Sequence, residues 1–300
     1  MQKKSLFAFL LPCLFLASQP GEAGPFPGRQ VVVLIVDRIG LGDLNRPDLP
    51  NFSWCLRYGA VGLMNTRTGA GIPAGLSGEH TYLTIGAARR GIGSPKTGEA
   101  FGANEPLEGG TAAEVYWRNT GYRPRPENVV LPAIAEIAAL NAAEDRSFRP
   151  GLLGASLHAA GFSTCVLGNA DTSEELGRYA VALAMDGRGL VDLGEVGSDL
   201  LRPDPGWPFG LRTDYEALTA AFKRYRSRAA LLVVELGDTA RLDLYSSYLS
   251  PVRAEALRHR ALRAADDFLG MGRRESDPTQ TLLIILTPTP GLPAQTQGYT

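Results

Sequence analysis

The sequence predicts an α/β fold, a mostly parallel sheet flanked by helices. Residues 31–36 form an unbroken apolar run of four Val, one Leu and one Ile. β-branched residues favour extended chain, and an apolar run without alternation is typical of a strand buried on both faces of a parallel sheet. Helical pattern, glycine, apolar run and polar loop follow one another in residues 151–172. This αβ unit recurs along the chain, which favours the α/β class.

The composition indicates an ordinary globular protein. Of the 300 residues, 44% are hydrophobic and 20% are charged, enough for one large core. The net charge is −1, so nothing in the electrostatics supports nucleic-acid binding. The three cysteines, Cys13, Cys55 and Cys165, cannot form a disulfide framework. We therefore expect a single α/β domain over residues 24–300, and no nucleic-acid partner.

The N-terminus has the pattern of a secretory signal peptide. Lys3 and Lys4 precede an apolar run at residues 5–18, and small residues follow at Gly21 and Ala23. The apolar run is too short to span a bilayer comfortably. We expect residues 1–23 to be removed and the mature protein to be extracytoplasmic. The alternative left open is an uncleaved N-terminal anchor, in which case the membrane contact is through this segment.

The same patterns predict the other elements in chain order. Apolar runs predict strands, and apolar spacing of three and four predicts helices, one of them closed by Gly161 at its C-terminus. The loop-rich stretch 91–150 is predicted to be an insertion or a cap over the site. The predicted strands are 31–36, 60–65, 162–167, 181–185, 229–234 and 281–286, and the predicted helices are 52–58, 111–120, 130–141, 151–160, 215–225 and 251–271.

Several predicted strands are followed by acidic or amide side chains. In open α/β sheets ligands bind beyond the carboxyl ends of strands, so carboxylates there meet at one edge and suit a divalent metal. The alternative is that these residues cap helices and form turns, where Asp and Asn are favoured anyway. The side chains in question are Asp37, Asn169 with Asp171, Asp186, and Glu235 with Asp238.

A glycine-rich, hydroxyl-bearing stretch at residues 66–78 suits an anion. Such loops bring backbone N–H groups close to a phosphate, although this one matches no nucleotide-binding fingerprint. Arg89 and Arg90 follow it, and arginine is well suited to an oxyanion substrate. The alternative is a flexible surface loop.

Three stretches resemble the alkaline phosphatase superfamily, in particular its cofactor-independent phosphoglycerate mutase and phosphopentomutase branch. They are VVVLIVDRIG at 31–40, the hydroxyl-rich loop running into YLTIGAAR at 82–89, and VVELGDTAR at 233–241. The resemblance implies an alkaline phosphatase-like core, a divalent metal such as Zn, Mn or Mg, and phosphoryl transfer to or from a small phosphorylated or other oxyanion ligand.

The resemblance also implies roles for particular residues. Asp37 matches the first metal ligand, and Glu235 matches the acid of a second metal site, where the family usually has Asp. Asp238 lies near the position where the family places a His. Ser77 matches the nucleophile, with Thr81 and Thr68 as weaker matches. By the same comparison Arg89, or its neighbour Arg90, would neutralise the phosphoryl group.

The chain departs from the family near its C-terminus. Where the family has Asp-His-Gly it has Thr289-Pro290-Gly291. We expect the C-terminal part of the family core to be missing, with two alternatives left open, a truncated sequence or a degenerate metal site. Of the three histidines, His80 alone lies near the proposed site. We therefore expect weak or absent metal-dependent turnover. Two functions remain open, an exported phosphatase-like or phosphomutase-like enzyme with an incomplete metal site, and a non-catalytic binding module of the cell envelope.

Overall fold

A computed structural model describes residues 30–71 and 77–291 of the chain. Its strands are β1 (Gln30–Ile35), β2 (Phe101–Gly102), β3 (Pro106–Leu107), β4 (Gly110–Thr111), β5 (Val129–Val130), β6 (Thr164–Asn169), β7 (Leu190–Val191), β8 (Leu193–Glu195), β9 (Leu201–Pro203), β10 (Leu211–Thr213), β11 (Leu231–Leu236) and β12 (Thr281–Leu286). Its helices are α1 (Leu41–Leu44), α2 (Pro50–Tyr58), α3 (Gly78–Gly86), α4 (Ala112–Thr120), α5 (Ile134–Glu144), α6 (Leu152–Ala159), α7 (Ala180–Ala184), α8 (Tyr215–Tyr225), α9 (Asp238–Leu244) and α10 (Pro251–Glu275).

Within these ranges a five-stranded sheet in the order β12-β1-β11-β6-β8 organises the fold. Every neighbouring pair in it is parallel. The register sets Ile35 of β1 opposite Glu235 of β11 and Leu286 of β12. Because the strands are parallel, the residues that follow β1, β11, β6 and β12 meet at one edge of the sheet. The predicted α/β class is confirmed.

Helices cover both faces of the sheet, and β1 contributes to both layers by alternation. Val32 and Leu34 pack with an apolar cluster to which α2, α8 and α10 contribute. Val33 and Ile35 pack with a second cluster, to which α3, α5 and α7 contribute. The carboxyl edge of the sheet therefore lies between two packed layers, and side chains that project there are largely shielded from water.

Two of the predicted strands are wrong. Residues 180–184 form helix α7, and all five are buried. A short apolar run does not distinguish a buried strand from a buried helix, and close packing against α3 holds this one as a helix. Residues 60–65 belong to no strand of the described chain, and Val61 and Leu63 are exposed.

The stretch 91–150 contributes to the main core as well as to smaller structures. Ile137 of α5 and Phe148 join the apolar cluster under β1. β2, β5 and β7 form a small antiparallel sheet of their own. The predicted signal peptide, residues 1–23, lies outside the described residues, as does 72–76 of the glycine-rich loop. In the part of the chain that is described, no helix is both long and apolar enough to cross a bilayer.

Candidate functional site

Helix α3 lies directly on α7, and this contact fixes its position at the carboxyl edge of the sheet. A Cβ atom added at Gly86 would lie 2.1 Å from the carbonyl oxygen of Ala182 and 2.9 Å from the Cα of Leu183. No larger residue fits there without moving one of the two helices. On α3 itself, Thr81, Tyr82 and Leu83 are buried.

The hydroxyl of Tyr82 lies between two carboxylates. It is 3.1 Å from Oδ2 of Asp37 and 3.1 Å from Oε1 of Glu235. Asp37 is 4% exposed and Glu235 is 2% exposed. A phenol has one proton and donates to one oxygen at a time, so the second carboxyl is satisfied when it carries a proton and donates to Tyr82. The structure thus brings together two of the predicted metal ligands.

Asp37 is also connected to the start of α3 by hydrogen bonds. Its Oδ1 accepts the backbone N–H of Thr289 at 2.6 Å. The Thr289 hydroxyl lies 3.0 Å from the Thr81 hydroxyl, and Thr81 donates to the carbonyl oxygen of Ser77 at 3.2 Å. A continuous chain of contacts therefore joins the predicted nucleophile to the predicted first metal ligand.

Burial and mutual repulsion disfavour the ionised forms of Asp37 and Glu235. Burial, and next the charge of Asp37, raise the pKa of Glu235 to about 8. Burial also raises the pKa of Asp37, against the opposing effect of the Arg38 charge. Burial and the two carboxylates raise the pKa of Tyr82 well above its ordinary value. Oε2 of Glu235 is buried and makes no hydrogen bond of good geometry in the described part of the chain, although the backbone N–H of Ala180 also acts to lower the pKa of Glu235. Such a site favours a bound proton or cation.

Asp238, the third predicted metal ligand, belongs to a neighbouring network centred on Arg241. Its Oδ1 accepts from the Thr213 N–H at 2.8 Å and from Arg241 Nη2 at 2.9 Å. Arg241 is fully buried and also donates to the carbonyl oxygens of Asn169 and Asp171. Asp238 begins α9, and its hydrogen bonds within the described residues do not reach Tyr82.

Ser77 immediately precedes α3, with an extended backbone. The N–H groups of His80 and Thr81 bond to its carbonyl oxygen. The first N–H groups of a helix and its dipole create positive potential at this end, which favours an anion. Ser77 therefore lies at the end of α3 that has positive potential.

Arg89 lies beyond the other end of α3. The helix has nine residues, about 13 Å of length, between Ser77 and Ala87. Arg89 forms an ion pair with Asp145, and about half of its side chain is exposed. The structure therefore does not bring Arg89 to Ser77. The sequence was interpreted as a compact segment at 82–89, whereas the segment belongs to a helix that separates the two residues.

The other candidate acids serve local structure. Asp171 accepts the N–H of Gly177 and pairs with Arg178 at 2.9 Å. Asp186 accepts the N–H groups of Arg188 and Leu190 and closes a turn. For these two acids the structure agrees with the alternative of turn formation.

The histidines are likewise held by local partners. His80 accepts the Gly93 N–H on Nδ1 at 2.7 Å, so neutral His80 carries its proton on Nε2, and burial lowers its pKa. His158 lies 2.8 Å from Asp192, and His259 contacts Asp48.

Sequence reasoning missed Tyr82, Thr289 and Arg38. Tyr82 follows Ser77 by five residues inside the stretch used for the resemblance, so its position was a signal. Thr289 was treated as a loss of ligands, although its N–H holds Asp37. Arg38 adopts φ of 59°, the left-handed region, directly after Asp37, and no sequence pattern indicated this.

A small cavity lies beside Thr81. Its volume is about 20 Å³, enough for roughly one water molecule. Of the described residues that line it, four are threonines and none is charged. These lining residues are Met64, Asn65, Thr66, Thr68, Thr81, Thr84, Ile85 and Pro288.

No family model, curated protein or solved structure matches the chain. The resemblance to the alkaline phosphatase superfamily therefore rests on the three motifs themselves. Across residues 30–71 and 77–291, no group of three or more His, Cys, Asp and Glu side chains is placed to hold a metal ion. What the fold and the site define is an α/β protein with a buried carboxylate pair at the carboxyl edge of a parallel sheet.

Proposed function

We propose that the chain is a phosphoester-processing protein, in which Ser77 attacks phosphorus and Asp37 and Glu235 hold a divalent cation. The P–O bond to the substrate's alcohol breaks, the alcohol leaves with the proton that the serine hydroxyl gives up, and water then hydrolyses the phosphoserine to release phosphate. One observation carries the proposal. A single helix, α3, has Ser77 at its N-terminus and, five residues later, Tyr82 between the two carboxylates. A nucleophile, an anion-attracting helix end and a pair of hard oxygen ligands are thereby connected at one sheet edge.

The residues present fit a divalent cation in part. Carboxylate oxygens are the ligands that Mg, Mn and Zn accept, and the buried Oε2 of Glu235 makes no hydrogen bond of good geometry among the described residues. When bound, the cation would supply Lewis-acid activation of the serine hydroxyl. We propose two protein ligands rather than the full family set.

The chain's own residues would perform the remaining tasks. The N-terminus of α3 would bind the phosphoryl oxygens through N–H groups and its dipole. Tyr82 would keep Asp37 and Glu235 at a fixed separation and exchange its hydrogen bond between them. The contacts of Thr81 and Thr289 would fix Asp37 relative to Ser77. With few ligands, and with no His-Asp relay at Ser77 among the described residues, we expect slow turnover.

A specific observation favours a second candidate, a non-catalytic oxyanion-binding module of the cell envelope. Positions that the resemblance assigns to metal binding serve internal contacts here. The Thr289 N–H occupies Oδ1 of Asp37, and Arg241 holds Asp238. On either candidate the protein is exported, and N-terminal sequencing of secreted material should begin near Gly24. Intact Met1 recovered from the cytosol would contradict export.

The test of the activity compares wild type with Ser77→Ala and Asp37→Ala. Phosphomonoester and phosphodiester substrates are supplied with excess Mg²⁺, Mn²⁺ or Zn²⁺. We expect slow wild-type turnover that both substitutions abolish. Arg228→Gly, a surface change at an ion pair with Glu127, serves as the control and should match wild type. Equal background rates in all proteins would instead favour the binding module.

A further inference from the structure

Arg38 occupies an unusual backbone position next to the carboxylate pair. It directly follows Asp37 and has φ of 59°, a conformation that glycine adopts easily and that residues with a side chain rarely adopt. Its N–H donates to the carbonyl oxygen of Thr289, and its own carbonyl oxygen accepts from Arg258. A strained residue at a site is a reason to look for a task of its side chain.

The guanidinium of Arg38 uses one of its three nitrogen atoms for a hydrogen bond within the described residues. Nη1 donates to Oδ2 of Asp243 at 3.0 Å, and Asp243 is itself buried. Arg38 is only 9% exposed. Within the described residues, Nε and Nη2 donate to no protein group. A guanidinium has five N–H donors in a planar fork, so one fixed edge leaves others available for an oxyanion.

The positive charge of Arg38 affects the pKa values of two neighbouring groups, Asp37 and Tyr179. It lowers the pKa of Asp37, and it also lowers the pKa of the Tyr179 phenol, against the larger effect of burial. The Tyr179 ring packs on the first residue of α3, since a Cβ added at Gly78 would lie 2.7 Å from its Cδ2. Backbone contacts also place Arg38 at the same edge as α3. Its N–H donates to the carbonyl oxygen of Thr289, and the Thr289 hydroxyl lies 3.0 Å from the hydroxyl of Thr81 on α3.

An anion that approaches Ser77 also meets the negative charge that Asp37 and Glu235 carry when they are ionised. A compensating cation is needed for binding. Arg89 is at the far end of α3. Arg241 is fully buried and paired with Asp238, with its Nε left without a partner among the described residues. Arg38 is buried close to the pair, and among the described residues its Nε and Nη2 donate to no protein group.

We propose that Arg38, rather than Arg89, binds the oxygen atoms of a tetrahedral phosphoryl group at the N-terminus of α3, with Asp243 positioning its guanidinium. The inference rests on the proposed function for the part played by Ser77. Anion binding by Arg38 does not require that Ser77 react, so it is tested separately.

The experiment measures binding of inorganic phosphate to the purified chain by calorimetry. Arg38→Gly suits the left-handed backbone, removes the guanidinium and leaves space for a free guanidinium ion beside Asp243. We expect Arg38→Gly to weaken phosphate binding by about tenfold or more, the cost of a charged hydrogen bond. Millimolar guanidinium ion should restore binding to this variant. Arg38→Lys should retain part of the affinity, and the surface variant Arg228→Gly should retain all of it.

Three results would overturn the inference. The first is unchanged phosphate affinity in folded Arg38→Gly, and the second is no phosphate affinity in wild type. The third is a loss that neither guanidinium ion nor Arg38→Lys repairs, which would mark a purely structural role. Arg89→Met is the rival variant, and a loss of phosphate binding there with Arg38→Gly unaffected would assign the task to Arg89. Turnover separates the two proposals. Phosphate binding that depends on Arg38 without any turnover would contradict the enzyme and leave the inference in place.

Discussion

At the scale of single residues, Tyr82 organises the site, because one phenol hydroxyl contacts Asp37 and Glu235 at once. Without it two buried carboxylates would face each other with no bridging group. Tyr82→Phe removes that hydroxyl alone and leaves two buried acceptors short of a donor. We expect a loss of about 1–3 kcal/mol in the free energy of unfolding, measured by urea denaturation.

Tyr116→Phe is the matched control for this change, because the Tyr116 hydroxyl donates to the Arg188 carbonyl oxygen at 2.8 Å, outside the site. It should lower stability without changing metal affinity, whereas Tyr82→Phe should change both. An unaltered urea midpoint in Tyr82→Phe would show that the hydroxyl does not join the two carboxylates.

The raised pKa of Glu235 predicts how the free energy of unfolding of the metal-free protein depends on pH. Its pKa rises from 4.5 to about 8 on folding, because of burial and then the charge of Asp37. Between these values the folded protein holds a proton that the unfolded chain has lost. Stability is therefore fully present below about pH 4.5 and falls as pH rises toward 8.

Urea midpoints measured in EDTA at about pH 5.5, 6.5, 7.5 and 8.5 would check this dependence. Glu235→Gln should flatten the decline, and the surface variant Glu127→Gln should keep it. Stability that rises with pH over this interval in wild type would contradict the assigned environment of Glu235.

At the scale of elements, the site depends on the contact of α3 with α7. Gly86→Ala places a methyl group 2.1 Å from the Ala182 carbonyl oxygen. Backbone must move, and we expect a loss of about 1–3 kcal/mol in unfolding free energy together with weaker phosphate binding. Gly62→Ala is the control, because a Cβ there meets no atom within 4 Å. Equal stability of the two variants would mean that the helices are not packed this closely.

The elements also show what the sequence could predict. β12 and α8 begin and end where their patterns predicted, and β1 differs by one residue at each end. α7 was predicted as a strand because five buried apolar residues carry no period, and its helical form depends on its neighbours. Periodicity reports the local environment of a segment, so it fails where a segment is buried on all sides.

At the scale of the whole molecule, the sheet order explains which site predictions the structure brings together. Asp37 and Glu235 meet because β1 and β11 are adjacent. Asp238 comes only three residues after Glu235, but it begins α9 and contacts Arg241. Ser77 and Arg89 are apart because α3 lies between them. Strand ends could be predicted from local pattern, whereas side-chain directions in the following turns depend on packing that the pattern does not contain.

A cation held by the carboxylate pair should stabilise the whole fold. A ligand that binds the folded chain alone adds about 2.7 kcal/mol at a hundredfold excess over its Kd. We expect Mn²⁺ to raise the melting temperature of wild type near pH 8, where about half of Glu235 is ionised, and to have no such effect on Asp37→Asn. Asp186→Asn, which changes a turn former, should respond as wild type does. A shift that persists in Asp37→Asn would place the cation elsewhere.

The central claim, that Ser77 receives a phosphoryl group beside the carboxylate pair, is tested most directly by trapping that group. The protein is incubated with an activated phosphomonoester and Mn²⁺, quenched in acid, digested and analysed by mass spectrometry. We predict one added phosphoryl group, located on Ser77, in wild type and in the Arg228→Gly control, and none in Ser77→Ala. A phosphoryl group on another residue, or none on wild type under conditions where phosphate binds, would contradict the account.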